Sequence, residues 1–184
     1  MNDPQNMVYH FAGIILTIFL AAIQGRIGRV GTFWQILYAI PGTLLHELVH
    51  FLVALVTGGR PTGFSIIPRP RESSLADGSL RRMWVLGSVS IGNAGTLSAL
   101  PTGLAPLALI GAAYYLYSHW FLWYPADLQH TLLMYLSVYL LCYSSVPSMQ
   151  DIKVAFSSIT GLILYGGLGI GLFLFRHKLV SLLE

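Results

Sequence analysis

Five apolar runs, at positions 9–23, 31–56, 95–117, 131–146 and 154–175, occupy most of the chain and carry almost no charge. Such runs restrict the fold severely. A peptide group in hydrocarbon finds no water to pair with, so a spanning segment must close its hydrogen bonds internally, as a helix. Each run is close to the ~20 residues that carry a helix across ~30 Å of bilayer core. The first is slightly short and is completed by its flanking residues. A water-soluble domain is excluded by the supply of charge: Asp, Glu, Lys and Arg make up 9% of 184 residues, against about 25% in soluble proteins. High hydrophobicity and a small net charge exclude a disordered chain as well. The expected fold is an all-α polytopic membrane protein of about five transmembrane helices, within a range of four to six. No internal repeat or low-complexity linker divides it, so residues 1–184 are read as one domain.

The segments between the runs carry the remaining polarity. Residues 1–6 lack the basic n-region and cleavage site of a secretory signal, so the first run is expected to be retained as a span. Residues 119–130 hold Trp120, Trp123 and Tyr124, a composition suited to an aromatic belt at the membrane interface. The net charge of +3 gives no basic stripe interleaved with aromatics, so no nucleic-acid partner is expected. Arg60, Arg69, Arg71, Arg81, Arg82 and Lys153 fall on one side of a five-span topology, and Arg26, Arg29, Arg176 and Lys178 on the other. The positive-inside rule places the first group on the cytoplasmic side, here of a plasma membrane. Residues 62–67 and 82–91 have strand character with a turn near Asp77-Gly78, which fits a β-hairpin. An interfacial loop whose arginines meet lipid headgroups fits equally well. The lone Cys142 has no disulfide partner and reads as a small buried apolar residue. Gly167 and Gly171 have the small-xxx-small spacing of close helix packing.

One motif stands out. His46-Glu47-Leu48-Val49-His50 lies inside the second run, where each ionisable group costs about 3 kcal/mol or more and is by default functional. On a helix, residues i and i+4 share a face, so both imidazoles can reach one metal ion. Zinc suits such a pair. It lowers the pKa of the water it holds towards ~7, and the adjacent Glu47 carboxylate is placed to take the proton. A catalytic zinc site needs a third protein ligand. The candidates are His10, His119, Asp127, His130, Asp151 and His177. If two crossings separate the second run from the fourth, the two run parallel, and the end of the fourth lies level with the histidines. Asp151 sits there, just after Pro147, which breaks the helix and lets a carboxylate turn inward. Sidedness therefore favours Asp151 over Asp127 and the other histidines.

These residues resemble the site-2 protease family of intramembrane zinc metalloproteases. The likeness covers about residues 41–152 and rests on HELVHFLVALVTGG, the Arg-rich strand-like segment that follows, and a Pro-to-Asp motif after a later span. It implies zinc bound by His46, His50 and Asp151, with Glu47 as catalytic acid/base. The family's aspartate usually follows an Asn-x-x-Pro-x-Pro-x-Leu-Asp-Gly-like pattern. Here residues 144–152 read SSVPSMQDI, keeping one proline and the aspartate but not the Asn, the second Pro or the Gly. Asn93, in a Gly-Asn-Ala-Gly segment, can supply a polar group instead or serve as a turn or cap. The family also implies that a β-element after the HExxH helix holds an unwound substrate in extended form by β-augmentation, which makes residues 63–67 and 83–88 candidates.

The expected function is a zinc-dependent intramembrane endopeptidase acting on a transmembrane protein substrate, with one Zn2+ per chain. The alternative is a non-catalytic membrane metal-binding or transport protein, or an inactive protease relative that binds other membrane proteins. An ion pathway would show several ionisable residues across the bilayer, whereas here they form one cluster.

Overall fold

The computed structural model describes residues 4–67, 69–74, 80–85, 87–92 and 95–183, without the side chains of 4, 70–74, 80–83, 85 and 177–183. The chain is mostly helical. Two long helices, α1 (Pro4–Val30) and α2 (Thr32–Val56), precede four short strands, β1 (Pro61–Ser65), β2 (Arg69–Ser74), β3 (Leu80–Val85) and β4 (Ser88–Ile91). There follow α3 (Ala99–Gly103), a 3-10 turn (Ala105–Leu107), α4 (Ala108–Trp123), α5 (Leu128–Ser144), α6 (Met149–Ala155) and α7 (Ile159–Leu183).

Among the described residues, α1, α2 and α7 are long and apolar enough to cross a membrane, and a fourth span results if α5 and α6, bent by 63°, count as one. The expected count of about five is thus met only in part. The run at 95–117 is not one helix: it is divided into α3, the 3-10 turn and α4, and Pro106, which has no N–H to donate, cannot continue the ladder of α3. The 16 residues of α4 rise only about 24 Å, short of the ~30 Å hydrocarbon core. Helix α1 runs past its expected end at residue 23 and stops at Gly31, whose φ of 141° suits a residue without Cβ. Helix α2 continues through Pro41.

Helix α5 is the hub, packing against α1, α2 and α4. Its close approaches use glycine. A Cβ at Gly13 of α1 would overlap the Tyr135 ring, and one at Gly42 of α2 would lie 2.7 Å from Tyr143 Cε1. A polar strap ties the same three helices. The Tyr38 hydroxyl donates to the Leu20 carbonyl at 3.1 Å and lies 2.9 Å from the Tyr139 hydroxyl, which donates to Gln24 Oε1 at 2.7 Å. The buried apolar residues are mostly alanines (39, 54, 99, 105, 113 and 155), whereas Phe11, Phe33, Leu122 and Phe173 are exposed. Small residues inside and large apolar ones outside reverse the pattern of a water-soluble core, and small interface residues let helix backbones approach closely.

The β-segment is a nested pair of antiparallel ladders. β1 pairs with β4 from Pro61↔Ile91 to Ser65↔Ser88, and β2 pairs with β3 from Arg69↔Val85 to Ser74↔Leu80. The expected arm at 82–91 is divided into β3 and β4, the arm at 62–67 holds β1 alone with β2 beyond it, and the turn at Asp77-Gly78 lies outside the described residues, as does Asn93. The β1–β4 pair packs on α2. Two smaller expectations are corrected. Cys142 is exposed on α5 rather than buried. Among the described residues, a Cβ at Gly167 or Gly171 would meet nothing within 4 Å, because α7 touches the rest of the chain chiefly through α3.

The α1–α5 crossing can be checked directly. Gly13→Val should destabilise the protein by about 1–3 kcal/mol through overpacking against Tyr135, read as thermal unfolding in detergent micelles. Gly28→Ala, with open space around its Cβ position, should leave stability unchanged or slightly raised.

Candidate metal centre

The i, i+4 pair on α2 forms as its spacing requires. The His46 and His50 rings lie 4.8 Å apart between centroids, with their Nε2 atoms separated by 3.1 Å. Each ring is fixed from behind by a main-chain carbonyl. His46 Nδ1–H donates to the Ser144 carbonyl at 2.9 Å, and His50 Nδ1–H donates to the Thr102 carbonyl at 2.7 Å. Ser144 ends α5, where carbonyls lack an intrahelical partner. A carbonyl can only accept, so each Nδ1 carries the proton and each neutral ring presents its lone pair at Nε2.

Asp151 completes the cluster. Its Oδ2 lies 3.2 Å from His46 Nε2, and its Oδ1 lies 3.2 Å from His50 Nε2. Local chemistry places it there. Pro147 follows the end of α5, and Ser148 caps α6 through a reciprocal box: the Ser148 hydroxyl accepts from Asp151 N–H at 3.2 Å, and Asp151 Oδ2 accepts from Ser148 N–H at 2.6 Å. Such a box satisfies two otherwise orphaned amide donors and holds one carboxylate oxygen in place, so the carboxylate is oriented by its own helix before it meets the histidines.

The donor set fits a metal ion. One ligand atom from each of His46, His50 and Asp151 lies within 4.8 Å of the others. The two Nε2 atoms stand 3.1 Å apart and each lies 3.2 Å from a different oxygen of Asp151, separations near the roughly 3.4 Å edge of a tetrahedron with ~2.1 Å bonds. Two imidazoles and a carboxylate suit zinc and other first-row divalent ions. Two imidazole nitrogens and a carboxylate this close form a group that a cation would bring together, its charge offsetting the repulsion among their lone pairs.

Glu47 lines the same cavity of about 670 Å3, together with the three candidate ligands and Thr102, Ser148 and the start of β4. The Thr102 hydroxyl is buried with no hydrogen-bond partner among the described residues. The other candidate ligands lie elsewhere. Asp127 caps α5, accepting from His130 N–H at 2.8 Å and from its imidazole at 2.9 Å; the amide first and then the imidazole hold its carboxyl below the usual range. His10 contacts Tyr135 and Phe121, and His119 clusters with the Tyr115 and Trp123 rings. The side chain of His177 lies outside the described residues. The Ser148-x-x-Asp151 spacing of the capping box is readable in the sequence, but the carbonyls that orient the histidines carry no side-chain signature. No family model, curated protein or solved structure matches the chain.

The purified chain should bind about one divalent ion, read by elemental analysis, and Asp151→Ala should lose it. Ser148→Ala should weaken binding about 10–100-fold by freeing the carboxylate, measured by competition with a chromogenic chelator. Asp127→Ala should bind as the wild type does.

Proposed function

We propose that the protein is a multi-pass membrane metalloprotease of the site-2 protease type, a zinc-dependent endopeptidase that cleaves a transmembrane protein substrate. The observation that carries this reading is the convergence of the His46, His50 and Asp151 lone pairs beside Glu47 in one cavity. Support for the membrane setting comes from the helix carrying HExxH, which is itself long and apolar enough to cross a bilayer. The arginine distribution favours a plasma membrane location with the site nearer the cytoplasmic face.

His46, His50 and Asp151 would hold the ion, with the Ser144 and Thr102 carbonyls and the Ser148 cap fixing their orientation. Zinc bound there supplies a Lewis acid that lowers the pKa of water towards ~7. Glu47 takes the proton released as water attacks the scissile carbonyl, then delivers it to the amide nitrogen as the C–N bond breaks. A transmembrane helix hides its carbonyls in its own hydrogen bonds, so the substrate must be unwound locally. The strands beside the cavity offer main-chain groups that can hold it extended.

A transport role receives less support, because the described residues contain a single group of three or more candidate ligands rather than a chain of ionisable side chains. Glu47→Gln should retain the metal and lose cleavage of a co-reconstituted transmembrane substrate by about 100-fold or more. A chelator should abolish wild-type activity, and zinc should restore it. A chain that binds zinc but cleaves nothing in proteoliposomes would be a binding or transport protein.

A further inference from the structure

Glu47 has a neighbour that the HExxH motif does not anticipate. Thr43 and Glu47, four residues apart on α2, form one stripe, and the chain between β3 and β4 lies against it at Gly87. A Cβ at position 87 would stand 2.6 Å from Thr43 Cγ2, 2.8 Å from Glu47 Cγ and 3.2 Å from Glu47 Oε1. The first two separations are closer than a real Cβ tolerates, so any other residue must displace either the strand or the glutamate. Two residues on, Val89 lines the same cavity as Glu47. Val89 is anchored by the β1–β4 ladder, where it pairs with Phe64. Gly87, just ahead of that ladder, thus puts the main chain where it limits the swing of the glutamate side chain.

We propose that Gly87 is a positioning residue for the general base. Its missing side chain lets the β3–β4 connection press on Glu47 and hold the carboxylate at one place in the cavity. A glutamate has three side-chain torsions, and proton transfer requires the carboxylate within hydrogen-bond reach of the attacking water. A displacement of about 1 Å at such a group can lower turnover 100-fold. The contact involves none of the three candidate metal ligands, so its loss should separate turnover from metal binding. The β-segment then belongs to the catalytic apparatus, beyond any role in meeting substrate or lipid headgroups. This inference rests on the proteolytic reading.

The test uses the full chain, zinc-loaded in detergent micelles, with a quenched-fluorescent transmembrane reporter peptide. Gly87→Ala should lower kcat about 10- to 100-fold, with KM within about twofold and bound zinc unchanged. Gly111→Ala, whose Cβ position is open, should match the wild type. A second readout needs no activity. The fall in thermal midpoint caused by Gly87→Ala should shrink by about half or more when Glu47 is first truncated to Ala, as expected for directly coupled residues. Additive thermal effects would overturn the contact and with it the proposal. Coupled thermal effects with unchanged kcat would show packing alone and overturn the positioning role. Coupled effects in a wild type that cleaves no reporter would overturn the proteolytic reading, and Gly87 would then be a packing residue only.

Discussion

Three lone pairs that converge in an apolar bundle are the constraint around which this structure is arranged. His46 Nε2 and His50 Nε2 lie 3.1 Å apart and each is 3.2 Å from one of the two oxygens of Asp151, an arrangement that could hold a metal ion. Every element near the cluster contributes to it. Helix α2 aligns the imidazoles, α5 and α3 each end near a carbonyl that fixes a tautomer, and the capping box of α6 aims the carboxylate. The site is a product of helix ends as much as of the HExxH helix.

This explains where the chain departs from regular spans. At membrane depth, backbone that is not helical is tolerated only where protein buries it or where it lines a polar cavity. The two interruptions, at the α3/3-10/α4 junction and at the α5/α6 bend, both border the cavity, through Thr102 and Gly103 on one side and Ser144 and Ser148 on the other. The breaks supply the unpaired carbonyls and the turned carboxylate that an unbroken helix would have kept to itself. Away from the cavity, alanines and glycines allow close helix contact, and the Tyr38–Tyr139–Gln24 strap satisfies its polar groups across three helices.

The strands add a second layer of control. The β1–β4 ladder packs on α2, and just ahead of β4, at Gly87, the backbone closes on the glutamate. Packing of this kind depends on an atom that is missing. Glycine at 87 is one residue of a strand-like stretch in the sequence, and only the proximity of Thr43 and Glu47 gives it meaning.

The sequence alone was enough for the chemistry that is local. Scarce charge and long apolar runs identified helices suited to a bilayer, and the i, i+4 spacing of His46 and His50 with Glu47 between them follows from helical periodicity. Asp151 was reachable because Pro147 breaks the helix ahead of it and lets a carboxylate turn inward, whereas the parity of crossings assumed a full span at 95–117, which the structure divides. What the sequence misjudged or did not disclose depends on partners far along the chain. The division of residues 95–117 follows from Pro106, which has no N–H to continue the ladder, and hydropathy averages across that break. The outward-facing Cys142 and the unpartnered Gly167 and Gly171 were misread because spacing says which residues share a face, not what that face meets. The carbonyls of Ser144 and Thr102 lie 98 and 52 residues from the imidazoles they hold. Main-chain groups are identical at every position, so no residue code announces which of them will be used; tertiary structure alone made that choice.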